Sequence, residues 1–235
     1  MTPFISEFIG TAVLITLGSG VVANVLLNST KGNNSGLLVI GWAWAVAVFV
    51  GVYISADGSG AHLNPAVTIG LAVAGKFNWE QVPAYLAAQM LGAMTGALLT
   101  WLTYRDHFSI TKDPGALLSV FSTGPAIRKP LNNFITETIA TFIFMLGVFF
   151  IQKGEMKLGA LDALPVALLV LGIGLSMGGP TGYAINPARD LGPRIMHALL
   201  PLGPGKGGSD WKYAPIPVLG PIAGAILAAL VYKAL

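Results

Sequence analysis

The chain has no cysteine, and only 10% of its 235 residues carry a charge. Without cysteine there is no disulfide framework, no thiolate metal site and no thiol nucleophile. The three histidines, His62, His107 and His197, stand far apart with no metal-ligand spacing, so no metal site and no cofactor is expected. Thirteen lysines and arginines against ten acids leave a net charge of +3, scattered between apolar stretches. That scatter argues against a nucleic-acid surface. The N-terminus lacks the basic region of a cleaved signal, and Glu7 falls inside the first apolar run, so this run is expected to be a first membrane span.

What the chain has instead is apolar length. With 54% hydrophobic residues it is too apolar for a soluble domain of its size. A spanning helix needs about 20 apolar residues. Six stretches meet that length: Phe4–Leu27, Leu37–Ala56, Trp79–Tyr104, Leu131–Ile151, Ala160–Met177 and Tyr213–Leu235. The thirty glycines lie largely within apolar runs, as close helix packing in lipid requires.

Two further apolar stretches, Val67–Ala74 and Leu191–Leu200, are too short to span, and each follows the same tripeptide. Asn64-Pro65-Ala66 and Asn186-Pro187-Ala188 read as helix starts, with asparagine at the N-cap and proline at the first helical position. The two half-helices follow the second and fifth spans. Three spans per half is an odd number, so the second half must enter the membrane from the opposite side. The expected architecture is an all-α membrane protein, six transmembrane helices plus two re-entrant half-helices in an inverted repeat. It forms a single domain over residues 1–235, with repeat 1 at about 1–104, a polar connecting loop at about 105–130 and repeat 2 at about 131–235. If the half-helices dip in from opposite faces, their positive N-terminal ends meet near the midplane. Each cap asparagine can then use its side-chain oxygen on backbone donors and aim its NH2 group at whatever passes.

The stretches before the two asparagines, Gly60-Ala61-His62-Leu63 and Gly182-Tyr183-Ala184-Ile185, are irregular. Non-helical backbone at membrane depth must be buried or line water, so these strands are expected to line a channel. The intramembrane charges fall symmetrically, Glu7 in the first span and Glu137 in the fourth. Two readings compete, a proton relay or acceptors that support the irregular strands, and the one-per-half placement favours support. Arg189 either pairs with Asp190 or presents its donor fork to the lumen; Arg194 stands at helical pairing distance from Asp190. Trp42, Trp44 and Tyr53 suit either an interfacial belt or the lumen.

Charge places the sides ambiguously. The links Asp57–Gly60, Gly75–Asn78 and Gln152–Gly159 and the two ends share one side, with Lys76, Lys153, Lys157 and Lys233. The other side holds Lys31, Arg105, Lys112, Arg128, Lys129, Lys206 and Lys212. The positive-inside rule alone would put the termini outside.

Together these residues resemble the major intrinsic proteins, the aquaporins and glycerol facilitators. Ser-Gly-Ala-His-Leu-Asn-Pro-Ala-Val-Thr at 59–68 and Gly-Tyr-Ala-Ile-Asn-Pro-Ala-Arg-Asp-Leu-Gly-Pro at 182–193 are similar to the two family signatures. The resemblance implies an aquaporin-like fold in the cell membrane, assembled as a homotetramer with one pore per subunit and cytoplasmic termini. Asp190, Arg194, Tyr104 and Pro217-Val218 are similar to the glycerol-conducting branch. Carried over by spacing, the selectivity filter is Trp44, Gly174, Tyr183 and Arg189. Gly174 stands where water-only members have histidine, and so is expected to leave room in the lumen. Tyr183 stands where glycerol facilitators usually have phenylalanine, and its hydroxyl is expected to alter the wall. Asp190 would support the loop.

The expected function is a passive channel for glycerol, water and other small uncharged solutes, excluding protons and ions. Dihydroxyacetone, hydrogen peroxide, urea and lactic acid also suit such a lumen. A water-selective pore and an ion-coupled secondary transporter are the alternatives. No nucleophile–base pair suggests an enzyme.

Overall fold

A computed structural model describes residues 1–151 and 159–235 of the chain. Its regular elements there are all helical: α1 Pro3–Leu26, α2 Leu37–Ser59, α3 Pro65–Val73, α4 Val82–Thr103, α5 Arg105–Ile110, α6 Pro114–Phe121, α7 Pro130–Ile151, α8 Leu164–Met177, α9 Pro187–Leu199 and α10 Pro215–Ala234, with short 3-10 turns at Trp79–Gln81 and Gly159–Ala163. Helices are what such apolar runs must form in lipid, because a helix pairs its backbone groups within its own segment.

Among the described residues, five helices are long and apolar enough to cross a membrane on their own: α1, α2, α4 with its leading 3-10 turn, α7 and α10. The expected span at Ala160–Met177 is built differently. Its α-helix, α8, has 14 residues, about 21 Å at about 1.5 Å each, short of a core about 30 Å thick. The five residues of the preceding 3-10 turn add about 10 Å and make up the length. Pro165, in the first turn of α8, marks where α-helical pairing begins.

Two more expectations are corrected. Asp57–Ser59, read as a link, belongs to α2. The connecting loop is not simply polar: it carries α5 and α6, whose Phe108, Leu117 and Phe121 are fully buried. The link at 152–158, with Lys153 and Lys157, lies outside the described residues.

The halves pack by the same rules. Helix α1 lies against α4, and α7 against α10. Gly92 and Gly96 let α4 approach α1; a Cβ at Gly96 would fall 2.5 Å from the Ala12 carbonyl oxygen. Gly220 and Gly224 do the same between α10 and α7, where a Cβ at Gly220 would fall 2.8 Å from that of Glu137. Such close approach of backbones replaces the hydrophobic effect as a packing force in lipid. The halves then interlock, since each half-helix lies against a spanning helix of the other half, α3 on α10 and α9 on α4. Helices α2 and α8 meet between them.

Apolar residues face outward as well as inward, and several polar ones are enclosed with the core. Leu38, Trp42, Val46 and Tyr53 of α2 face outward, while Glu7, Gln89, Glu137 and Arg194 are wholly enclosed. Buried polar groups of this kind need partners, and those partners build the site.

Candidate functional site

Both Asn-Pro-Ala sequences start helices as expected. The Asn64 Oδ1 accepts from Ala66 N at 2.8 Å, and the Asn186 Oδ1 from Ala188 N at 3.0 Å and Arg189 N at 3.3 Å. Pro65 and Pro187 occupy the first helical position, and Ala66 and Ala188 are fully buried behind them. The amide ends do more than expected. Asn64 Nδ2 donates to the Ile185 carbonyl at 2.8 Å, and Asn186 Nδ2 to the Leu63 carbonyl at 2.9 Å. The two half-helices are therefore bonded to each other's approach strand, tip to tip. Each NH2 keeps a second hydrogen beyond this bond.

The strands before the asparagines match in conformation. Gly60, Ala61 and Leu63 have φ of 77°, 52° and 52°; Gly182, Tyr183 and Ile185 have 81°, 40° and 44°. Left-handed backbone costs a non-glycine residue about 1–3 kcal/mol and persists only where the surroundings impose it. The two buried glutamates do so. Glu7 accepts from Ser59 Oγ at 2.6 Å, His62 N at 2.9 Å, Leu63 N at 2.7 Å and Gln89 Nε2 at 2.8 Å. Glu137 accepts from Thr181 Oγ1 at 2.6 Å and from Ala184 N and Ile185 N at 3.0 Å each. In both repeats the glutamate takes up strand N–H groups. The carbonyls of Gly60, Ala61, His62, Gly182, Tyr183 and Ala184 accept no hydrogen bond from any described residue.

These strands border a cavity of about 340 Å³, lined also by Asn64, Asn186, Trp44 and Arg189. Helices α2, α7 and α8 supply an apolar wall that includes Val48, Val52, Phe144, Val148 and Val170. The Arg189 guanidinium sits over the Trp44 ring, its central carbon 4.4 Å from the ring centroid, and has no hydrogen-bond partner among the described residues. A cation over an indole face is attracted by the ring's quadrupole. Asp190 does not pair with Arg189. It accepts from Arg194 Nε at 2.8 Å and from Thr123 N and Oγ1 at 2.7 Å each. Arg194 in turn donates to the carbonyls of Ser209 and Thr123, fixing two loops. Arg128 and Asp210 join those loops at the surface, 2.5 Å apart, and this bond raises the Arg128 guanidinium above its ordinary range.

The carried-over positions do not all meet the lumen. Trp44, Tyr183 and Arg189 line the cavity; Gly174 and Gly182 are outside its lining. The space at Gly174 belongs to a neighbour, because a Cβ there would fall 2.9 Å from Tyr183 Cζ and 3.1 Å from its hydroxyl. That hydroxyl is buried without a partner among the described residues and lies against Gly174 of α8. Trp42 and Tyr53, left open between belt and lumen, point outward.

Gln89 and Thr68 were not singled out in the sequence, although a lone glutamine inside an apolar span was the available signal. Gln89 Nε2 also donates to Thr68 Oγ1 at 2.9 Å, and Thr68 donates to the Asn64 carbonyl at 3.2 Å. The His62 Nδ1, 3.1 Å from Thr68 Oγ1, joins the same network.

Two half-helices meeting at capped asparagines beside a cavity, inside an inverted-repeat helical bundle, define a membrane channel of the aquaporin-like fold. A model of the major intrinsic protein family matches residues 1–232. The chain is 54% identical over 233 residues to a probable glycerol uptake facilitator protein of Thermotoga maritima, covering 99% of each. It is 50% identical over 233 residues to a glycerol uptake facilitator protein of Streptococcus pneumoniae, again covering 99% of each. The solved aquaglyceroporin of Plasmodium falciparum superposes with a TM-score of 0.86 at 34% identity, over 98% of this chain and 94% of that one. The chain belongs to the major intrinsic protein family. It is a multi-pass membrane protein, and its relatives are channels, not enzymes.

Proposed function

We propose that the chain is a passive channel for glycerol, and for water and other small uncharged solutes, that excludes protons and ions. The observation that carries this reading is the set of six strand carbonyls, three before each asparagine, that accept no hydrogen bond from the described residues, five of them on residues that line the cavity. At membrane depth, a carbonyl that accepts nothing from the described residues needs a partner from the lumen. A polyol supplies one, since its hydroxyls donate to carbonyls and accept from the Asn64 and Asn186 amides and from Arg189. Its CH edge lies on Trp44, Tyr183 and the valine-rich wall. The names of the relatives support glycerol as the solute.

Ion exclusion follows from the same parts. Half-helices α3 and α9 aim their positive ends at the midplane, and Arg189 adds a fixed charge, so a cation meets an electrostatic barrier. A lone water between the two asparagine amides accepts from both and cannot readily pass a proton on. A filter of Trp44, Tyr183 and Arg189, with Gly174 acting through Tyr183, sets the preference for glycerol. The chain works as one domain in a homotetramer with cytoplasmic termini in the cell membrane.

The test against an ion-coupled transporter is labelled-glycerol uptake into proteoliposomes with and without proton and sodium gradients. A channel gives uptake that is linear in glycerol concentration and indifferent to the gradients. Saturating uptake that collapses with a gradient would contradict the reading.

A further inference from the structure

Gly18 lies on α1, outside the cavity lining, on the side that packs against α2. At Gly92, Gly96 and Gly224 the atom nearest to an added Cβ is a backbone carbonyl oxygen, that of Phe8, Ala12 and Thr138 in turn. Gly18 is different. The three atoms nearest to a Cβ built there all belong to the Trp44 ring, Cε3 at 2.5 Å with Cζ3 and Cη2 inside contact distance. Gly174 is its counterpart on α8, where the three nearest atoms all belong to Tyr183. The repeat does not demand the glycine either. Gly18 stands eleven residues after Glu7, and eleven after Glu137 stands Val148, which lines the cavity.

We propose that Gly18 is a positioning residue for permeation: it provides the notch that holds the Trp44 ring back against α1, as Gly174 holds Tyr183 against α8, and the two notches together set the width between the aromatic rings. The proposal rests on reading the cavity as the route of glycerol. The Trp44 ring meets both the Gly18 position on α1 and the Arg189 guanidinium. Helix α1 cannot retreat to make room for a methyl group, because Gly92 and Gly96 already bring α4 against its backbone. The backbone of Gly18 is ordinary helix, so alanine there is free of conformational strain. The ring is what must move away from α1, and it lines the cavity beside Arg189. A solute as wide as glycerol is obstructed by that displacement more than water is.

The experiment compares glycerol and water permeability of proteoliposomes carrying wild type, Gly18→Ala, Trp44→Phe, the double variant, and Gly20→Ala. Gly20 is on the same helix and faces open space, so its alanine variant conducts as wild type does. Gly18→Ala lowers glycerol permeability about tenfold, the scale of one misplaced methylene in a fitted site. Water permeability falls much less. The double variant recovers the glycerol flux of Trp44→Phe alone, because the smaller ring no longer meets the added methyl. An unchanged glycerol-to-water ratio in Gly18→Ala, with glycerol-conducting wild type, overturns the role of Gly18. Loss of both fluxes that Trp44→Phe does not restore overturns it too, since Gly18 is then ordinary packing. A wild type that passes water and no glycerol overturns the functional reading itself.

Discussion

Asn64 and Asn186 each donate to the carbonyl that immediately precedes the other asparagine in the chain, Ile185 at 2.8 Å and Leu63 at 2.9 Å. The same two side chains cap α3 and α9 with their oxygens. Cap and cross-bond can be separated by substitution. In Asn186→Asp the carboxylate still accepts from Ala188 N but has no donor for the Leu63 carbonyl. The expected loss is about 1–3 kcal/mol, the cost of an unpaired buried acceptor, seen as a lower unfolding temperature in detergent. An unfolding temperature equal to wild type would mean that the cross-bond contributes nothing.

Glu137→Gln keeps the shape of the side chain and removes one acceptor oxygen. Either Thr181 Oγ1 and Ala184 N or Ile185 N then faces an NH2 group instead of an oxygen. With less to hold them, the left-handed residues Tyr183 and Ile185 relax toward ordinary backbone. Glycerol and water flux are both expected to fall at least severalfold, with a stability loss of about 1–3 kcal/mol. Full flux in this variant would show that the strand holds its shape without the carboxylate. The support reading of the two glutamates predicts no effect on proton coupling, because uptake has none to lose.

Tyr183→Phe removes a hydroxyl that is buried, without a partner among the described residues, and turned toward Gly174. An unsatisfied buried hydroxyl is unfavourable, so the phenylalanine variant is expected to be as stable as wild type or up to about 1 kcal/mol more stable. The glycerol-to-water ratio stays within about twofold, equivalent to about 0.4 kcal/mol on the barrier. A larger shift in stopped-flow measurements would place the hydroxyl in the lumen after all.

Arg189→Val removes the one cationic side chain on the cavity wall among the described residues. Part of the barrier to positive charge goes with it, and proton leak through proteoliposomes, read with a pH-sensitive dye, is expected to rise. A variant as tight as wild type would assign the barrier wholly to the half-helix ends at Asn64 and Asn186.

The sequence disclosed those parts of the site whose chemistry is local. Asparagine before proline dictates a capped helix start, and the apolar lengths distinguish spans from half-helices, so the starts of α3 and α9 were legible. The reciprocal asparagine bonds were not, because each partner carbonyl lies more than a hundred residues away in the chain. Gly174 teaches the same lesson from the other side: a missing side chain advertises space, but not which neighbour fills it, and Tyr183 does. The glutamates were legible through their symmetry; Gln89 and Thr68, which extend the Glu7 network, break that symmetry and were passed over. Helices α5 and α6 were hidden by the charges at Arg105, Asp106, Lys112 and Asp113, which mask the buried Phe108, Leu117 and Phe121 between and beyond them.

The central claim is a passive route for glycerol through one lumen. It is tested most directly by stopped-flow light scattering of proteoliposomes, first under an impermeant osmolyte and then under a glycerol gradient. The account predicts rapid shrinkage in both cases, followed under glycerol by rapid re-swelling with a weak temperature dependence and no response to ion gradients. Shrinkage without re-swelling would contradict it, and would make the lumen a route for water alone.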